Sequence, residues 1–187
     1  MKYTKATART LYLTGSSYEI GFRLGDVISK DTVWRRKCVS HNNKMNQNRL
    51  EKINSLLDIW CPGLCDELKG IADALHVEPK DLYFYHMTHL VPNCSQIAVC
   101  FSITKEKKPL LARNFEFSDE IEDFTLIKTS VTGKHTHMGT SILGAGRDDG
   151  INEYGLAVTM TSCGMPVVDL PYMKTPCIEG LQYWIVV

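Results

Sequence analysis

No apolar run in the 187 residues approaches the roughly 20 that a helix needs to cross a bilayer. Nor does the apolar core of a signal peptide follow the polar, basic residues 1–9. Neither sign of charge predominates: 21 Lys+Arg balance 21 Asp+Glu, so no global field argues for nucleic acid or an anionic membrane as a partner. The seven cysteines contain no CxxC pair, which removes the usual spacing of a zinc site or a redox dithiol. Internal repeats, low-complexity tracts and an obvious linker are missing as well. These absences leave a cytoplasmic globular chain with free thiols, and with no metal or cofactor, as the expectation.

The residues that are present support a folded protein. An apolar fraction of 44% against 22% charged residues is that of a globular chain, long enough to bury the core of one ordinary domain. Residues 11–13 read as a short strand ending at Thr14 and Gly15. Ser16 and Glu19 then have the spacing of a capping box, and Ile20, Leu24, Val27 and Ile28 follow at helical intervals. Gly21 and Gly25 lie one turn apart in that helix, where each costs up to about 1 kcal/mol relative to alanine. The pair predicts a second backbone packed close against it. Residues 30–48 are polar and read as either a loop or an exposed helix.

Leu50, Ile53, Leu56, Leu57 and Trp60 mark an amphipathic helix stopped by Cys61, Pro62 and Gly63. Leu64, Leu68, Ile71 and Leu75 mark the next. Pro79 opens a third, carrying Leu82, Tyr85, His86 and His89 along one side, and Pro92 closes it.

After Pro92 the period changes to two. Residues 94–104 read as a strand with Ser95, Ile97, Val99, Phe101 and Ile103 on one face. Cys94, Gln96, Ala98 and Cys100 fall on the other. A charged turn at 105–108 leads to a returning strand at 110–117. The acidic cluster Glu116, Asp119, Glu120, Glu122 and Asp123 interrupts before strands at 124–131 and 136–143. Residues 144–150 are glycine-rich but lack the spacing of a phosphate-binding loop. A turn at Asn152, Glu153 and Tyr154 precedes a strand at 155–160. Past a proline-bearing loop, Ile178, Leu181, Trp184 and Ile185 begin a helical pattern that reaches Val187 without a cap. The expectation is therefore a chain cut from a longer one.

The chemistry concentrates at Cys94, a thiol at a strand start directly after a helix-breaking proline. A cysteine nucleophile needs a base and donors for the oxyanion. If the bond before Cys94 were cut, its own α-amine, with an ordinary pKa of about 7.7–8.0, would be a base within reach. Against this, a cysteine on a strand is usually a packing residue. Cys100, on the same face, is a rival nucleophile. His86 and His89 have the i, i+3 spacing of a metal pair, but no carboxylate motif accompanies them and core packing accounts for them better. His135 and His137 read as exposed.

Three motifs in order narrow the choice. Cys94 and Ser95 are followed by Arg113, Asn114, Phe115, Glu116 and Phe117, then by Gly150, Ile151, Asn152, Glu153, Tyr154, Gly155, Leu156, Ala157 and Val158. The pattern resembles the N-terminal nucleophile amidohydrolases, in particular the acyl-CoA:6-aminopenicillanate acyltransferase group of linear amide C–N hydrolases. Choloylglycine hydrolase and acid ceramidase are more distant members. Ser17, Tyr18, Glu19, Ile20 and Gly21, with Gly25, resemble the pro-region of the acyltransferase branch.

The resemblance implies an α+β fold, the αββα sandwich of that class, incomplete in this chain. Residues 1–93 would be a mainly helical pro-segment, and 94–187 the first part of the catalytic domain. It implies self-cleavage between Asn93 and Cys94, after which Cys94 attacks an amide or thioester carbonyl. Arg113 would hold the thiolate, Glu116 would orient the freed α-amine, and the Ser162 backbone N–H would serve the oxyanion. The implied partner is a small-molecule amide or acyl substrate, an acyl-CoA among them. The sequence departs from the family in having Asn93 where the acyltransferase has glycine, and Glu116 where the family has aspartate. The family's second half, which supplies a further asparagine and arginine, has no counterpart here. A non-catalytic domain of the same fold is the alternative. A papain-like protease is disfavoured because Cys94 begins a strand and not a helix.

Overall fold

The short strand expected at residues 11–13 extends to β1, Arg9–Gly15, and the chain turns at Ser16 directly into helix α1, Ser17–Ser29. The computed structural model describes residues 7–40, 45–86, 94–114, 122–160 and 184–186. The capping box forms: Ser16 Oγ accepts from the Glu19 N–H at 3.2 Å, and Glu19 Oε2 accepts from the Ser16 N–H at 2.8 Å.

The ambiguous polar stretch contains helix α2, Thr32–Cys38, capped by Asp31, with Trp34 and Cys38 buried. Helix α3, Gln47–Trp60, buries Leu50, Ile53 and Leu57. Trp60, expected in that stripe, lies in its last turn and is 68% exposed. Helix α4, Leu64–Leu75, matches the predicted pattern. The third helix expected after Pro79 is instead two 3₁₀ turns, Pro79–Asp81 and Tyr83–His86. Leu82 breaks them apart: it is extended, pairs with Val39 in an isolated bridge and is buried, so core contact overrides helical periodicity there. His89 and Pro92 lie outside the described residues.

Helices α1 and α4 touch backbone to backbone, as the paired glycines predicted. A Cβ on Gly21 would lie 1.9 Å from the Glu67 carbonyl oxygen, and one on Gly70 would lie 2.2 Å from that of Tyr18. The contact places Ile20, Leu24, Leu68, Ile71 and Leu75 in one core with Leu13 and Ile127 of the sheet beneath.

That sheet has six strands: β1, β4 (Glu122–Val131), β5 (His137–Ile142), β6 (Ala145–Asn152), β7 (Ala157–Met160) and β8 (Trp184–Val186), in that order. β1 runs parallel to β4, and every other pairing is antiparallel. Residues on both sides of position 94 therefore share one sheet. Two further strands, β2 (Ser95–Val99) and β3 (Leu110–Asn114), form a separate antiparallel hairpin.

Three strand boundaries differ from expectation. β2 stops at Val99, where its last partner is Leu110, and residues 100–108 form turns closed by Thr104 Oγ1 accepting from the Lys108 N–H at 3.0 Å. Phe101 and Ile103 are thus exposed rather than on a strand face. The glycine-rich stretch is strand β6, interrupted by a register shift against β5 near Gly146. Residues 184–186, read as helical, pair with β7.

Asp123, one of the acidic cluster, is 3% exposed. Its carboxylate accepts from Trp34 Nε1 at 3.3 Å, Ser141 Oγ at 3.0 Å, the Gly144 N–H at 2.8 Å and the Thr125 N–H at 2.9 Å. Burial pushes its carboxyl above the ordinary value, and those hydrogen bonds work against the push. It ties α2 to the start of β4 and to the β5–β6 turn.

The glycine contact gives a test. Gly21→Ala gains helix propensity but drives a methyl into the Glu67 carbonyl, so overpacking of about 1–3 kcal/mol should dominate. A urea titration should show a lowered midpoint; an unchanged or raised one would refute the close approach.

Candidate active site

The hairpin's register builds the site. Gln96 pairs with Arg113 across the strands, so their side chains share a face, and alternation places Cys94 on that face as well. Arg113 donates from Nη2 to the Cys94 Sγ at 3.4 Å, and its Nη1 lies 2.5 Å from Asp149 Oδ1 of β6. The Arg113 side chain is 5% exposed and that of Asp149 25%. Burial alone would lower the Arg113 pKa; the bonds to Cys94 and Asp149, with the Asp149 charge, outweigh it and raise it. Thr159 of β7 donates its hydroxyl to Gln96 Oε1. The hairpin is thus fastened to the six-stranded sheet by an ion pair and a hydrogen bond.

It is fastened to the face away from α1 and α4. Ile127, Thr129 and Ser141 point toward the helices and are buried, whereas Thr140, the cross-strand partner of Asp149, is exposed. Asp149 is steadied by Thr140 Oγ1, which donates to its Oδ2 at 3.4 Å. β5 approaches β6 closely beside it: a Cβ on Gly139 would lie 1.9 Å from the Asp149 carbonyl oxygen.

The other described thiols lack such an environment. Burial pushes Cys38 and Cys61 up, and burial with the neighbouring Asp58 pushes Cys65 up to about 12. Cys100, the rival nucleophile, lies beyond the end of β2 and is exposed. Asn93, Glu116 and Ser162 lie outside the described residues. Of the residues expected at the site, Cys94 and Arg113 are therefore brought together.

Asp149, Gln96 and Thr159 were not among them. Gln96 Nε2 is buried and has no hydrogen-bond partner among the described residues, which leaves a donor on the same strand face as Cys94. Asp149 sits in the glycine-rich segment, to which no strand was assigned; recognising a strand there would have set its carboxylate on a face.

Asn152 is a turn-former, its Oδ1 accepting from the Tyr154 and Leu156 N–H groups at 3.0 Å each. Glu153 lies 3.3 Å from the exposed His135. Among the described residues no group of three or more His, Cys, Asp or Glu is placed to hold a metal ion, and no helix is long and apolar enough to cross a membrane.

A cleft of about 290 Å³ opens on the helix side, lined among others by Ser17, Cys61, Gly63, Lys134 and Arg147. It includes none of the Cys94 group. Its Arg147 donates from Nη2 to Thr129 Oγ1 at 2.8 Å and lies 3.6 Å from the Glu67 carboxylate. The thiol–guanidinium contact lies outside this cleft.

A protein-family model described as acyl-coenzyme A:6-aminopenicillanic acid acyl-transferase matches residues 103–171. That stretch is less than half of the chain. It contains β3 to β7 with Arg113 and Asp149, and it begins beyond Cys94. The match supports the acyltransferase group that the three motifs resemble. Among curated proteins, none matches the chain significantly.

If the Arg113 contact activates Cys94, exposure should not decide reactivity. Brief iodoacetamide treatment at pH 7 followed by peptide mapping should find Cys94 alkylated ahead of the more exposed Cys100. Arg113→Lys, which loses the planar fork, should slow Cys94 about tenfold. Cys100 reacting first would refute the contact's role.

Proposed function

We infer that the chain carries the nucleophile of a cysteine N-terminal nucleophile amidohydrolase or acyltransferase acting on a linear amide. The observation that carries this reading is the buried Arg113 guanidinium set between Cys94 Sγ and Asp149. The family match over residues 103–171 supports it independently.

In this reading the αββα sandwich is the parent architecture, with residues 1–93 as pro-segment and 94–187 as the opening of the catalytic domain. Choloylglycine hydrolase and acid ceramidase would be distant relatives. The Cys94 thiol adds to the Asn93 carbonyl carbon and the C–N bond breaks, so the N-to-S shift frees the Cys94 α-amine. Water then hydrolyses the resulting thioester to the Asn93 carboxylate and the Cys94 thiol. That amine, oriented by Glu116, takes the thiol proton as Sγ attacks the substrate carbonyl carbon. Arg113 offsets the charge on sulfur, and the Ser162 backbone N–H donates to the oxyanion. The α-amine returns the proton to the leaving nitrogen as the C–N bond breaks. The thioester so formed passes its acyl group to water or to a second amine, regenerating the thiol. With an acyl-CoA as donor the first leaving group is the coenzyme thiol instead.

Intact mass of the purified chain tests the reading. Two fragments meeting at Asn93/Cys94 are expected. They should co-elute on size exclusion, because β1 pairs with β4 and α1 shares a core with the sheet. Cys94→Ala should remain a single chain. A parent protein that stays uncut, with a Cys94 no more reactive than free cysteine, would exclude this function.

A further inference from the structure

We propose that Asp149 is a positioning residue for the nucleophile, acting through Arg113. The inference rests on the functional reading above and adds a member to its site. The two terminal nitrogens of one planar group are engaged separately: Nη2 meets Cys94 Sγ at 3.4 Å, and Nη1 meets Asp149 Oδ1 at 2.5 Å. A guanidinium is rigid, so fixing Nη1 fixes the direction in which Nη2 points. Without an anchor, a long side chain on a two-stranded hairpin keeps several rotamers, of which one reaches the thiol.

Asp149 is suited to the task by its mounting. It sits on β6 inside the larger sheet, is held by Thr140, and has the Gly139 backbone pressed against its own. Cys94 and Arg113 belong to the hairpin, which is joined to that sheet by this pair and by Gln96 with Thr159. The carboxylate also offsets the burial of the Arg113 charge, so it can stay 5% exposed beside the sulfur. Its own charge repels a thiolate. Orientation and direct electrostatics therefore predict opposite signs when Asp149 is neutralised, which makes the role separable.

The measurement is the iodoacetamide alkylation rate of Cys94 in the whole chain at fixed pH, with circular dichroism to confirm folding. Asp149→Asn should slow alkylation about tenfold, the scale of one charge-assisted hydrogen bond. Asp149→Glu, which keeps the charge, should return the rate to within about threefold of the parent. In an Arg113→Lys background, Asp149→Asn should change the rate by less than about twofold, because the two substitutions remove one interaction. Unchanged or faster alkylation in Asp149→Asn overturns the proposal, as does equal slowing in the Arg113→Lys background. Should Asp149→Asn fail to fold, Asp149→Glu decides: a rate below about a tenth of the parent's overturns it. A parent whose Cys94 reacts no faster than Cys100 refutes the functional reading. A fast parent with an equally fast Asp149→Asn refutes the role of Asp149 alone.

Discussion

A cationic side chain that is 5% exposed must be neutralised where it sits, and that requirement organises the joint between the hairpin and the larger sheet. Arg113 is anchored on β3, its countercharge lies on β6, and the thiol it faces precedes β2. Three segments distant in sequence meet through one side chain. The hydrophobic core could not set this geometry, because it lies on the opposite face of the sheet, among α1, α4, Leu13 and Ile127.

That division between a packed face and a polar face explains which features were legible from sequence. Helix α4 and the start of α1 were readable because their signals are local: a capping box, an apolar stripe, and two glycines one turn apart. The glycines even carried tertiary information, since α1 and α4 do meet at their backbones. Leu82 was misread because a long-range bridge to Val39 outweighs its helical spacing. The strand past Val99 was misread because alternation continues through Phe101 and Ile103 although no partner strand lies there among the described residues. Asp123 was legible only as one member of an acidic cluster. Nothing nearby in sequence announces the Trp34, Ser141 and Gly144 donors that bury it.

The candidate site was legible in part for the same reason. Cys94 and Arg113 are linked by a hairpin whose turn and alternation can be read along the chain, and they do meet. Asp149 reaches them only once β6 is placed beside β5 and the hairpin is laid on the sheet, which no local pattern encodes. The six-stranded sheet also joins residues N-terminal to Cys94 with residues C-terminal to it, through β1 on β4. Cys94 thus lies between two stretches of chain that share one sheet.

The irregularity in β6 has a consequence for how this segment tolerates change. Thr140 pairs with Asp149 and Ile142 with Ala145, so three residues of β6 stand opposite Ser141 alone. Within that arc Arg147 reaches Thr129 and Glu67 on the helix side, while Asp149, two positions on, serves Arg113 on the other. The arc sorts a cation and an anion to opposite faces of one strand, and it does so by residue count. Substitutions in it alter one contact each. A one-residue insertion or deletion would shift the phase of everything downstream, so the length of this segment is more tightly constrained than its composition.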